Sequence, residues 1–446
     1  MDEFKRRNLW QLILPLFAFA FMSIGVAFAD QVILSQYSEE LAAAVSIANQ
    51  ILGIAYDVSG LFSVGALIVV AQCLGRDDLA QARELISIAV QASLSLCVVL
   101  ALILLVGAPY FVEWINTPAE LRQDAIAYVR IVAGAILFNG AITTATAALK
   151  GFGRTVSILV LGILANILYL FFEYSLIFGA FGFPELGVYG TASATLIVRL
   201  ASVAVLFFLL HRWFKVRLIV FRLTAKRLSA MKQLAKISYP SVGEGMIYNF
   251  SQLAVVAFIS SLGTAAVLTR SFSLTITSFL TIIGFVVAQG NEILVGYDCG
   301  ASDYVRAARR ARKTALWTGA FSILCASGIY LYSDLLIGLF TDEDELREAI
   351  RDVLFLAIFL APFQTSNQIL FGALKAVGDV NRPVIANLML TFFVALPGAY
   401  AAVMLLDLGV VGLWYVYLIH EALRFLVLWV LWESKTWTRY RVIETA

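Results

Sequence analysis

Nine ionisable side chains sit inside long apolar stretches of this chain: Asp30, Asp57, Glu173, Arg199, Glu244, Arg270, Glu292, Glu421 and Arg424, with Arg130 near the edge of another. If those stretches lie in hydrocarbon, each charge costs at least about 2.5–3.5 kcal/mol, so each needs a reason. Glu421 and Arg424 stand three apart on one helix and can pair. Arg199 falls near Glu421 in a repeat register described below, which makes it a second candidate partner. Arg270 is close enough to the end of its stretch to snorkel, and Glu292 could reach a headgroup or a lysine at the opposite end. Asp30, Asp57, Glu173 and Glu244 have no partner on their own helices. A carboxyl group in a dry surrounding is costly to charge, so it can hold a proton facing one side of a membrane and lose it facing the other. That is the chemistry of ion coupling, and Asp30 with Glu173, both in the first half of the chain, is the leading pair. The alternative for each acid is a static role, satisfied by Ser, Thr or Tyr neighbours. Glu244, Asp57, Asn249, Gln364 and Glu292 are candidates for lining a substrate cavity. The polar runs Gln364-Thr365-Ser366-Asn367-Gln368 and Asn49-Gln50 either face such a cavity or bind neighbouring helices together.

The elements that carry these groups follow from composition. Of 446 residues, 61% are hydrophobic and 14% charged, with a mean hydropathy of +0.88. Soluble domains carry about 45–50% apolar and about 25% charged residues, so this chain is built for lipid. A soluble enzyme, a nucleic-acid binder and a disordered scaffold are excluded. Apolar runs centre on 9–36, 44–72, 86–111, 124–148, 155–180, 187–210, 238–261, 264–297, 313–338, 350–373, 382–405 and 409–432. Each is long enough for a membrane helix and lacks strict alternation, which predicts an all-α integral membrane protein of twelve helices. Twenty-five of the 32 basic residues fall on one set of connections, including Lys5, Arg6, Arg7, Arg222 and Arg441, so both termini are expected in the cytoplasm. The stretch from Lys5 to Ala27-Phe28-Ala29 imitates a signal peptide, but its removal would break the repeat, so the helix is expected to stay. Cys73, Cys97, Cys299 and Cys325 imply no disulfide framework, and two histidines are too few for a His-based metal site.

A shift of 225 residues superposes Pro15 on Pro240, Gly75 on Gly300, Asp78 on Asp303, and Ala148-Leu149-Lys150 on Ala373-Leu374-Lys375. A shift of 222 brings Gly187 and Gly190 onto Gly409 and Gly412. The run predicts two six-helix lobes related by a pseudo-two-fold axis along the membrane normal. The N-lobe is then 1–210, the basic cytoplasmic linker 211–237, the C-lobe 238–432 and the tail 433–446. Asp78 and Asp303 read as N-caps of short cytoplasmic helices.

Over nearly its whole length the chain resembles the multidrug and toxic compound extrusion (MATE) transporters. Ala29-Asp30-Gln31-Val32-Ile33 resembles the first-helix aspartate motif of that family. Ala148-Leu149-Lys150-Gly151 and Ala373-Leu374-Lys375-Ala376 are similar to its repeated Leu-Arg/Lys-Gly turn. Glu173-Tyr174-Ser175-Leu176-Ile177-Phe178-Gly179 resembles its fifth-helix Asp-Pro-Leu-Phe-Ile-Phe-Gly pattern, and Gly190-Thr191-Ala192-Ser193-Ala194-Thr195 the start of helix six. The resemblance implies antiport, in which an amphipathic or cationic organic compound leaves the cell while a proton or Na⁺ enters. It assigns cation coupling to Asp30, Glu173, Thr195 and Tyr169, the last standing where many members have asparagine. Gln364 replaces a helix-ten aspartate of the NorM-like branch, and Glu244 looks more like the DinF-like branch, which favours protons.

The expectation is therefore a monomeric, proton-coupled, multi-pass exporter of the inner membrane working by rocker-switch exchange. No cofactor, enzymatic activity or nucleic-acid partner is expected. The aromatic residues, 13% of the chain, would bind flat cations by stacking and cation–π contact. Alternatives are Na⁺ coupling, or a lipid-linked oligosaccharide flippase of the same superfamily, for which Arg199 and Arg270 are the relevant charges.

Overall fold

A computed structural model describes residues 8–115, 117–217 and 224–440. Among them there is no strand, and twelve helices are long and apolar enough to cross a membrane. They are α1 (Leu9–Tyr37), α2 (Ala42–Gly75), α3 (Leu79–Trp114), α4 (Ala119–Gly151), α5 (Thr155–Phe178) and α6 (Tyr189–Phe214), then α7 (Arg227–Ser260), α8 (Thr264–Gly300), α9 (Tyr304–Leu331), α10 (Asp344–Ala376), α11 (Asn381–Leu405) and α12 (Gly409–Glu433). Each apolar run of the sequence thus becomes one helix, and several helices run past their runs. Of the basic residues used to assign orientation, Lys5, Arg6, Arg7, Arg222 and Arg441 lie outside the described residues.

The overruns have a local cause. Asp78 accepts the backbone N–H of Gln81 at 2.9 Å, and Asp303 that of Arg306 at 2.9 Å. These are N-caps, as read from the sequence, but they start the long helices α3 and α9 themselves and not separate short ones. The Arg306 amide and guanidinium together hold the Asp303 carboxyl below the usual carboxylate range. Unusual backbone recurs at the same spacing: φ is +63° at Asp77 and +60° at Ser302, and +67° at Gly153 and +92° at Gly378.

Other helices are interrupted. The second breaks at Gly60, between Glu39–Ser59 and Leu61–Gly75, and Asn139 of α4 donates to Ser59 Oγ at 2.5 Å across the break. In α1, Pro15 lacks the N–H that would bond the carbonyl of Gln11. Thr155 at the start of α5 donates its hydroxyl to that carbonyl at 3.4 Å, so the acceptor is not stranded. In α11, π-helical turns at Thr391–Ala395 and Ala401–Leu405 flank Pro397.

Contacts divide the chain into two compact units, Met1–Val242 and Gly243–Ala446. In the first, α4 packs against α2, α3 and α6, and α1 lies on α5. The buried face of α4 is rich in small residues (Ala133, Gly140, Ala141, Ala145, Ala148), which let helix backbones approach without a hydrophobic drive from water. At Gly140 an added Cβ would lie 2.5 Å from Cys97 Sγ and 2.8 Å from the Ser59 carbonyl. In the second unit α10 has the same place, against α8, α9 and α12. Large apolar side chains such as Leu102, Val106, Leu324 and Phe393 point outward, as a lipid solvent requires.

Candidate functional site

Helices α1 and α5 bring the leading acids together. Glu173 is completely buried on α5, and Asp30 of α1 is half-buried beside it. Between them stands the hydroxyl of Tyr169, 2.5 Å from Asp30 Oδ1 and 2.9 Å from Glu173 Oε1. Tyr169 precedes Glu173 by four residues, so the two share one face of α5. Glu173 Oε2 has no hydrogen-bond partner. Among the described residues no Lys or Arg lies within salt-bridge distance of either acid.

A proton count decides what this cluster can do. Tyrosine has one hydrogen to give, so it cannot donate to two carboxylates at once. Both short contacts become hydrogen bonds when the cluster carries one further proton: one acid then donates to the Tyr169 oxygen, and Tyr169 donates to the other. Without that proton, two like charges share a dry site with one donor between them. The arrangement has room for one proton beyond the phenolic one.

Thr195, the fourth coupling candidate, is half-buried on α6 and bonds back to the carbonyl of Thr191 on its own helix at 3.1 Å. It touches neither acid by hydrogen bond. The buried Thr191 hydroxyl has no partner. Sequence reasoning did not single out Tyr128, which is buried on α4 and interacts electrostatically with Asp30 and Glu173. A tyrosine within an apolar run was the only available clue.

The second unit treats its charges differently. Glu244, without a partner on its own helix, accepts Arg424 Nη2 of α12 at 3.1 Å and Asn387 Nδ2 of α11 at 2.9 Å. Arg424 also stands 3.7 Å from Glu421, as the spacing predicted, and Glu421 accepts Asn367 Nδ2 at 2.6 Å. Glu292 is buried 3.8 Å from Lys375 Nζ, the lysine alternative of the sequence reading. Arg270 does not simply snorkel: it donates to Gln252 at 2.7 Å. Buried Glu292 is thus accompanied by Lys375, and half-buried Glu244 and Glu421 by Arg424. Among the polar run, Thr365, Ser366 and Asn367 bond to α9 and α12, which binds helices together, and Gln364 is half-buried. Asp57, Asn249, Asn49 and Gln50 are exposed, and Arg199 lies 5.6 Å over the Tyr56 ring. No group of three His, Cys, Asp or Glu fit to hold a metal occurs among the described residues.

Comparison with known proteins gives these positions a context. The MatE family model matches residues 15–175 and again 240–401. The chain is 28% identical to the uncharacterized transporter YisQ of Bacillus subtilis, covering 97% of this chain and 95% of that one. It is 25% identical to the multidrug resistance protein NorM of Photobacterium profundum, covering 90% and 88%. Its fold is similar to that of the Vibrio cholerae MATE transporter VcmN in the bent form (TM-score 0.86, 16% identity, 96% and 95% covered) and of the eukaryotic MATE transporter AtDTX14 (TM-score 0.82, 16% identity, 98% of each chain).

Proposed function

The chain belongs to the MatE family of multi-pass membrane transporters, and on that footing we propose that it is a proton-coupled antiporter exporting amphipathic or cationic organic compounds. The observation that carries the coupling ion is the shared hydrogen of Tyr169 between Asp30 and Glu173, with no cation at hand to settle the charge. In the outward-facing state the cluster takes up one proton. That removes a buried charge, repacks α1 on α5, and lowers affinity for a cationic substrate in the central cavity. Release of the proton to the cytoplasm resets the cycle, by rocker-switch exchange of two six-helix lobes with both termini inside. The acids of the second lobe already have basic companions, so they hold that lobe together and leave the proton to the first. Glu244 and the glutamine at position 364 favour the DinF-like branch over the NorM-like one. The transporter acts as a monomer in the inner membrane.

The test is efflux of a dye or fluoroquinolone from proteoliposomes. A pH gradient should drive it and a Na⁺ gradient should not; drive by Na⁺ alone would overturn the proton and leave antiport standing. Asp30→Asn should abolish the response to the pH gradient. Proton-dependent exchange that survives this change would refute the site.

A further inference from the structure

We propose that the first unit also holds a binding site for the phosphate of an anionic phospholipid, in a groove where α3 ends and α4 and α6 begin. The groove is open, has a volume of about 500 Å³ and is lined by Pro109 of α3, Arg122, Gln123, Ile126 and Arg130 of α4, and Tyr189 of α6. That is a volume of the size that ordinary ligand sites have. Among the described residues Arg122 and Arg130 make no salt bridge or hydrogen bond, whereas Arg270 and Arg424 of the second unit are bonded. No carboxylate lines the groove; Glu113, Glu120 and Asp124 are near in sequence but reach neither arginine within 4.0 Å. Two exposed arginines lining one groove with no carboxylate on its described walls suit an anion, and a planar fork of donors suits phosphate.

The position selects a lipid as the source. Tyr110 and Trp114 at the end of α3 are 72% and 81% exposed, the aromatic signature of a membrane–water boundary. The Cα–Cβ bonds of a helix tilt toward its N-terminus, so the long side chain of Arg130 reaches back toward the start of α4 and the level of Arg122. The first turn of α4 adds its own backbone N–H groups, which Pro118 does not cap by side chain. Directly along α3 from the groove, Leu102, Leu105 and Val106 are exposed and offer an apolar bed for acyl chains. Positive donors at headgroup level above a bare apolar face fit an amphiphile with a phosphate, and a free anion would use only half of this surface.

Photolabelling of the full-length protein in nanodiscs tests the assignment. A phosphatidylglycerol analogue with a headgroup-proximal diazirine should label peptides spanning 109–130, and the matching phosphatidylcholine analogue should not. Labelling should fall about fivefold for each arginine replaced in Arg122→Gln and Arg130→Gln, the change expected for about 1 kcal/mol per basic residue at an anionic surface. Arg122→Lys with Arg130→Lys should keep most of the label, which separates charge from collapse of the groove. Equal labelling by both lipids, no loss in the glutamine variants, loss in the lysine variants, or competition by soluble glycerol phosphate would each overturn the proposal.

Discussion

At Tyr169 one phenolic hydrogen faces two carboxyl groups, and that inventory makes a prediction that burial alone would not. Tyr169→Phe removes the hydroxyl bonded to both acids while leaving each acid in place. A hydrogen bond to a charged group contributes about 1.5–3 kcal/mol, so coupled exchange should fall about ten- to hundredfold. The profile of exchange against pH should move as well, and an unmoved profile would show that Tyr169 only fills space. Arg424 answers to a different rule, because its removal leaves Glu244 and Glu421 with amide donors and without the guanidinium that stands beside both. Arg424→Leu should destabilise the protein by about 3–5 kcal/mol, read as a lowered melting temperature in detergent, with Arg424→Leu combined with Glu244→Gln recovering part of the loss. Part of this site was legible in the sequence. Tyr169 and Glu173 are four apart, so a shared helix face is local information. Asp30 is 139 residues from Tyr169, and Glu244 is 180 from Arg424. Those meetings depend on which helices pack together, which no spacing along one strand of sequence records.

Helix against helix, the small residues decide how close the backbones come. An added Cβ at Gly190 would stand 2.6 Å from the carbonyl oxygen of Leu176, and the one at Gly140 meets Cys97 and the Ser59 carbonyl. Backbone cannot rotate aside as a side chain can, so Gly140→Ala and Gly190→Ala should each cost about 1–3 kcal/mol. Gly25 and Gly53 have nothing within 4 Å of such a Cβ. Their alanine variants should be neutral or more stable by up to about 1 kcal/mol, and thermal melts of the four variants check the contrast. The helices themselves were readable because hydrocarbon forces every span to satisfy its own amides. The break at Gly60 was not readable, since glycine inside an apolar run is ordinary. Nor were the positive φ angles at Asp77 and Ser302, which neither residue type announces.

For the chain as a whole, the distribution of lysine and arginine predicts which surface each loop meets. Single cysteines placed at Asp342 and at Lys435, in a variant whose four native cysteines are replaced, should react oppositely with an impermeant maleimide. The first should be labelled from outside intact cells and the second only after lysis; the reverse pattern would invert the topology. One detail described above bears on how the chain moves. At Pro15 the backbone ladder of α1 has lost a rung, and Thr155 reaches over from the neighbouring helix to hold the spare carbonyl. Asp30 lies fifteen residues farther along, a span of about 22 Å at 1.5 Å per residue. Swinging α1 by ten degrees about that weak point would carry the Asp30 carboxyl through about 4 Å, more than the whole length of its contact with Tyr169. A small pivot near the start of α1 would thus act as a long crank on Asp30, with the Thr155 hydroxyl beside the point about which it turns.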